Sequence, residues 1–360
     1  MKKRDFFYKI YSEIPWEKLK DTRILITGAS GMIGSVMIRM ILEYNQEENG
    51  NIQIVGLSRN KERAGEQLRD IMDIPEFSYV SADINVPLAN MGYFDYIIHC
   101  ASNTHPRQYS SDPVGTIMTN VLGTKNLLDY ATEYGVERFV YLSSVEIYGE
   151  NRDNVDMFAE DYLGYIDCNT LRSGYPEGKR LGESLCNAYA KEKGIDFVIP
   201  RLSRTYGPTL LETDSKAISQ FIHKAVSDED IVLKSKGNQI FSYTYSEDAA
   251  AAVLFIMLTG SSGEVYNVSD KESVIALVDL AHILADIAGT EVIFELPDEI
   301  EKAGYSTATK AVLDAAKLEN LGWHARVHMQ EGLKRTVNFL KYVCKENHDL
   351  RNDKKREKNK

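Results

Sequence analysis

The sequence predicts an α/β fold, with a doubly wound parallel sheet and a smaller, mainly helical C-terminal domain. Short extended runs recur at 23–27, 51–57, 77–80, 96–100, 138–142 and 196–200. Helical patterns fall between them, at 32–44, 59–72, 112–134 and 176–193. Alternation of this kind stacks helices on both faces of a parallel sheet. A glycine-rich turn, Thr27-Gly-Ala-Ser-Gly-Met-Ile-Gly34, joins the first strand to the first helix.

The elements follow in order. Residues 1–20 carry Phe6, Phe7, Ile10, Tyr11, Ile14, Trp16 and Leu19 at rough helical spacing, which suits a leader packed on the body. Residues 21–200 hold the strand–helix rhythm. The first strand is apolar and precedes glycines, as a buried parallel strand does. The helix at 176–193 stops at Gly194. Beyond residue 200, helical patterns near 215–227, 246–259, 273–288 and 310–320 mix with extended pieces at 231–233, 265–268 and 292–294. A cap over 201–340, interleaved with the sheet domain, would open onto the sheet as a substrate cleft. Residues 341–360 end in a basic run with no apolar anchor, which suits a disordered, solvated tail.

At 360 residues the chain buries a large core as one big domain or two intimate ones. Its net charge of −11 argues against nucleic acid or an anionic membrane as the main partner. No apolar run reaches membrane-spanning length. Four dispersed cysteines and no signal-peptide pattern point to a reducing, cytoplasmic setting without disulfides. Seven histidines show no ligand spacing such as HExxH, so no metal is expected.

Tyr175 and Lys179 stand four apart on the 176–193 pattern and share a helix face. A lysine charge beside the phenol would favour phenolate and make Tyr175 a proton acceptor near neutral pH. Gly28, Gly31 and Gly34, spaced GxxGxxG, let a backbone approach a pyrophosphate at a helix N-terminus. At the end of the second strand an NAD site usually places a carboxylate. Ser58 stands there, followed by Arg59, and this pair leans towards the 2′-phosphate of NADP.

Together TGASGMIG, Ser143-Ser144 before Tyr148-Gly149, Tyr175xxxLys179 and Arg201-Leu-Ser-Arg-Thr-Tyr-Gly-Pro208 resemble the extended short-chain dehydrogenase/reductase family. Within it the chain is similar to the nucleotide-sugar epimerase/dehydratase/decarboxylase group. The likeness runs from about residue 21 to 340, and Tyr175-Pro-Glu-Gly-Lys-Arg180 is nearest the UDP-glucuronate decarboxylase branch.

The resemblance implies a Rossmann-type domain holding NAD(P), NADP slightly favoured. Tyr175 would take a proton from a sugar hydroxyl, Lys179 would tune it, and Ser144 would bind the reacting oxygen. Ser30, Met32 and Ile33 of the glycine turn would join Asp83, Ile84, Ala101 and Ser102 in holding the cofactor. Thr104 and Arg107 would face the substrate. Glu146 would do acid/base work and favour decarboxylation over dehydration, since Val145 rather than Asp precedes it. Two departures stand out. Arg204 replaces an Asn that grips the sugar nucleotide, and Phe241 replaces an Arg that binds the pyrophosphate. Arg204 is expected to take over the anionic contact.

The leading expectation is a nucleotide-sugar enzyme working through a 4-keto intermediate, as a 4-epimerase or a UDP-glucuronate-type decarboxylase. A 4,6-dehydratase, an NADPH-dependent keto-sugar or alditol reductase, and a non-catalytic scaffold are the alternatives. The resemblance also implies a homodimer through the helices at 112–134 and 176–193.

Overall fold

The computed structural model describes residues 11–104, 109, 111–295 and 308–358. Its first part runs β1 (Arg23–Thr27), α1 (Met32–Glu48), β2 (Gln53–Ser58), α2 (Lys61–Gln67), β3 (Phe77–Ser81) and β4 (Tyr96–His99). It continues with α3 (Pro113–Tyr134), β5 (Arg138–Tyr141), β6 (Ser143–Ser144), α4 (Gly174–Lys193) and β7 (Phe197–Leu202). Then come β8 (Arg204–Tyr206), α5 (Ala217–Val226), β9 (Ile231–Leu233), β10 (Ile240–Tyr245), α6 (Ser246–Thr259) and β11 (Val265–Val268). The last part is β12 (Val274–Ala276), α7 (Leu277–Ala288), β13 (Val292–Phe294), β14 (Lys310–Ala311), α8 (Ala316–Asn320) and α9 (Met329–Lys358).

The main sheet has the order β3-β2-β1-β4-β5-β7-β11, with β6 also paired to β7. Every pairing in it is parallel. The order reverses between β1 and β4, and ligands of such sheets bind outside the carboxyl ends at that point. Side chains alternate between two cores as the pleat requires. Ile24, Ile26, Ile98 and Val140 face one helix layer. Leu25, Ile97, Phe139 and Tyr141 face the other, built from α3 and α4.

Local chemistry places the helices. Asp112 caps α3 by accepting from Gly115 N, with Pro113 opening the helix. Gly194 ends α4 in the left-handed conformation. Helix α6 is apolar almost all round and wholly buried from Ser246 to Leu258. It packs with α1 in the sheet layer, and β11 joins the sheet edge. The chain therefore returns to the sheet domain after residue 240. The cap core joins α5, α7, α9 and β10.

Several expectations need correction. Of the expected leader, residues 1–10 lie outside the described residues; within the rest, residues 16–19 form a 3-10 turn, and Tyr11, Ile14, Trp16 and Leu19 are buried against the body. The cap carries two small sheets, β12-β10-β14 with β8 on β10, and β13-β9. The 310–320 pattern divides into β14 and α8. Helix α9 extends through Lys358, so residues 341–358 continue a helix instead of forming an unstructured tail.

Candidate active site

A cavity of about 600 Å³ opens at the switch point and runs from the glycine turn to the cap. Gly28 has φ +68°, and a Cβ there would come within 2.9 Å of the Ala101 backbone. A Cβ on Gly34 would lie 2.6 Å from the Gly28 carbonyl oxygen. Only a chain without side chains closes this turn so tightly. Gly28, Ser30, Gly31, Met32, Ile33 and Gly34 all line the cavity.

At the end of β2 the wall is hydroxylic and cationic. The Ser58 hydroxyl meets those of Ser30 at 3.2 Å and Tyr79 at 3.0 Å. Arg59 Nη2 donates to Asn103 Oδ1 at 3.2 Å. Arg63 also lines the cavity, its Nε buried without a hydrogen-bond partner, and burial lowers its pKa. Among the described residues no carboxylate lines this end. The donor set fits a dinucleotide: a cradle that a Cβ would fill, and an orphaned guanidinium N–H that needs an acceptor.

Tyr175 opens α4 and is 5 % exposed. Its ring stacks on Tyr109, with centroids 5.0 Å apart and planes within 16°. Burial pushes the phenol well above its usual range, the Ser144 hydroxyl bonded to it lowers it, and Glu146 raises it further. The expected depression by Lys179 is therefore corrected. Lys179 Nζ donates to Leu142 O at 2.7 Å and lies 4.8 Å from the centre of the Tyr141 ring. Burial lowers its own pKa to about 8. The face of α4 is held in place by Glu183, which pairs bidentately with Arg201 on β7 at 3.0 and 2.7 Å.

Glu146 is the second residue of a 3-10 turn, Val145–Tyr148, and its own N–H donates to Ser144 Oγ at 3.2 Å. Its carboxylate lies 3.4 Å from Arg172 Nη2 and 3.5 Å from Arg204 Nη2. Although burial raises its pKa, Arg204, Arg172 and Lys216 together bring it below the usual value. Glu146 is thus a carboxylate at neutral pH, an acceptor rather than a proton donor.

The cavity brings together Ser144, Glu146, Tyr175, Lys179, Thr104, Arg204, Ser58, Arg59, Ile84, Ala101 and Ser102. Asp83 does not join them: it is exposed, and its carboxylate accepts from Asn85 N at 2.9 Å. Arg107 lies outside the described residues. Sequence reasoning missed Arg63, Arg172, Asp214 and Lys216, all of which line the wall. Arg63 had a signal, four residues after Arg59 within the helical pattern expected at 59–72, although the helix itself begins at Lys61. Asp214 and Lys216, paired at 3.3 Å, had none.

A glycine-turn dinucleotide cradle beside a buried Ser–Tyr–Lys cluster defines the class: extended short-chain dehydrogenases/reductases. The model of the NAD dependent epimerase/dehydratase family matches residues 24–269. The chain belongs to that family. It is 29% identical over 344 residues to UDP-glucuronic acid decarboxylase 1 of Xenopus tropicalis, covering 93% of this chain and 76% of that protein. It is 30% identical over 315 residues to UDP-glucuronic acid decarboxylase 3 of Arabidopsis thaliana, covering 86% of each. A solved structure of the UDP-glucuronic acid 4-epimerase of Bacillus cereus, with UDP-glucuronic acid and NAD, matches with a TM-score of 0.75 at 22% identity. That match covers 89% of this chain and 99% of the other.

Proposed function

We propose that the chain oxidises a nucleotide-linked sugar at C4 and completes the reaction through the resulting 4-keto intermediate, with a nucleotide-linked hexuronic acid as preferred substrate. The observation that carries this is the convergence of the Tyr175 phenol, the Ser144 hydroxyl and the Glu146 carboxylate on one cavity continuous with the glycine turn. The decarboxylase relatives support the acidic sugar.

When bound, the nicotinamide supplies the hydride acceptor and donor. Tyr175, once its own proton has been lost to solvent, takes the proton of the sugar 4-hydroxyl, and Ser144 donates to the same oxygen as it becomes a carbonyl. Lys179 lies one turn along α4 and supplies positive charge while protonated, below about pH 8. A 4-ketone is β to the C5 carboxylate, so carbon dioxide can leave. Glu146 orients the water that protonates C5 afterwards. If the carboxylate stays, Tyr175 would return the proton to the 4-oxygen with C4 inverted, which gives the 4-epimer.

The test is incubation with UDP-glucuronic acid and UDP-glucose, products read by mass and sugar stereochemistry. Loss of carbon dioxide or an unchanged mass with inverted C4 supports the reading. No conversion of either sinks it. Net reduction of a keto sugar is a second reading, favoured by Arg59 and Arg63, and it appears as a gain of two hydrogens.

We read the cofactor as NADP, because two guanidiniums and Ser58 occupy the wall at the end of β2 and, among the described residues, no carboxylate does. Arg63→Ala should weaken NADP binding by roughly ten- to a hundredfold, as loss of charge-assisted hydrogen bonds does. NAD affinity should stay within about threefold; equal losses for both would reject the assignment. Four free thiols suit a cytoplasmic setting. Among the described residues no helix is long and apolar enough to cross a membrane. The α3–α4 pair is the proposed homodimer face.

A further inference from the structure

The geometry points to Arg204, mounted on Phe241, as the residue that selects a carboxylate on the sugar; this rests on the nucleotide-sugar reading above. Strands β8 and β10 pair in parallel with Arg204 opposite Tyr243. Phe241, two residues back on β10, is therefore its diagonal neighbour on the same face. The guanidinium carbon lies 3.6 Å from the centre of the Phe241 ring. Stacking of this kind fixes the guanidinium plane and leaves its in-plane N–H groups to reach sideways.

Those donors are not saturated. Arg204 reaches Glu146 at 3.5 Å, well beyond the roughly 2.7–2.9 Å of a charge-assisted hydrogen bond. Its Nη1 is buried with no hydrogen-bond partner. A buried donor without an acceptor is unfavourable, and a ligand oxygen would relieve it. The charge around Glu146 points the same way. Arg172, Arg204 and Lys216 act on it, Lys234 also lines the cavity, and among the described residues the carboxylates of the lining are Glu146 and Asp214. Cations outnumber carboxylates there, which suits an anionic ligand.

Position separates the sugar carboxylate from the diphosphate. Ser144 pairs with Leu202, and Arg204 follows two residues later. Arg204 thus stands beside the Ser144–Tyr175 centre. With C4 at that centre, the C5 carboxylate is on the adjacent carbon, whereas the diphosphate hangs from C1 across the ring. Phe241 acts through Arg204 and is a positioning residue.

Calorimetry on the cofactor-loaded protein tests this with UDP-glucuronic acid and UDP-glucose as probes. The wild-type protein should bind the acid at least about tenfold more tightly, a margin expected of one charge-assisted contact. Arg204→Gln should bring that ratio near one while cofactor affinity, the measure of correct folding, is unchanged. Phe241→Leu should raise the KM for the acid with kcat little altered, and Phe241→Tyr, which keeps the stack, should restore it. No acid preference in the wild type, or the same ratio in Arg204→Gln, overturns the proposal. An equal loss for both probes moves Arg204 to the shared diphosphate and overturns it too. If the wild type binds neither probe, the nucleotide-sugar reading falls instead, and this proposal with it.

Discussion

Burial decides the protonation state of Tyr175. The phenol is lifted above its ordinary range by its apolar surroundings and by Glu146, with the Ser144 hydroxyl opposing. The phenol must therefore lose its own proton before it can accept one from the sugar hydroxyl. Lys179 points to Leu142 O, so the i,i+4 spacing put the two side chains on one face without making them partners. Tyr175→Phe keeps the stack on Tyr109 and removes the hydroxyl alone. Turnover should fall by about 10²–10⁴, the usual worth of a positioned acid–base group. Cofactor affinity, followed by fluorescence titration, should change less than about threefold. A variant that retains more than a tenth of wild-type kcat would remove Tyr175 from its role.

Elements are held by a few close contacts. The turn between β1 and α1 works because Gly34 has no Cβ to meet the Gly28 carbonyl oxygen. Gly34→Ala forces backbone against backbone, and overpacking of this sort costs about 1–3 kcal/mol. The thermal midpoint should drop and cofactor binding weaken more than about tenfold; unchanged binding would show that the turn relaxes. At the start of α9, His328 Nδ1 meets the buried Asp270 carboxylate at 3.0 Å. That hydrogen bond raises the His328 pKa above its ordinary value. The stabilisation is complete below the unfolded value of about 6.5 and is lost as pH rises through the higher folded value. The imidazole is 42% exposed, so screening keeps the effect to at most about 1 kcal/mol. His328→Gln should lower the melting temperature at pH 6 and leave it nearly unchanged at pH 9. Equal shifts at both pH values would show that packing rather than charge is responsible.

At the scale of the whole molecule, the returning chain ties the cap to the sheet. Helix α6 and strand β11 lie late in the sequence yet complete the sheet domain. The outer face of α3 shows Val114, Met118 and Leu122 exposed one turn apart, with Leu181 exposed on α4. Tyr130, by contrast, is buried within the chain and donates to Gly92 O at 2.6 Å. Met118→Lys with Leu122→Lys should convert the proposed dimer to monomer in light scattering; an unchanged mass would place any interface elsewhere. Much of this was legible in advance. The strands, the glycine turn and the Tyr175–Lys179 pair follow from local spacing, and local spacing is what a sequence displays. Strand β10 was not seen, because its aromatic residues are buried by neighbours from three other segments. Asp83 was misplaced for a related reason: a residue just after a strand turns either way, and here it caps its own turn.

The sequence by itself determined the alternating sheet, the cradle at Gly28–Gly34 and the presence of Ser144, Tyr175 and Lys179. Each depends on residues close in the chain. Only the tertiary structure decided the electrostatics: the raised phenol of Tyr175, the ionised Glu146 and the stack of Arg204 on Phe241. Those depend on burial and on charges from distant strands, and no local pattern encodes either.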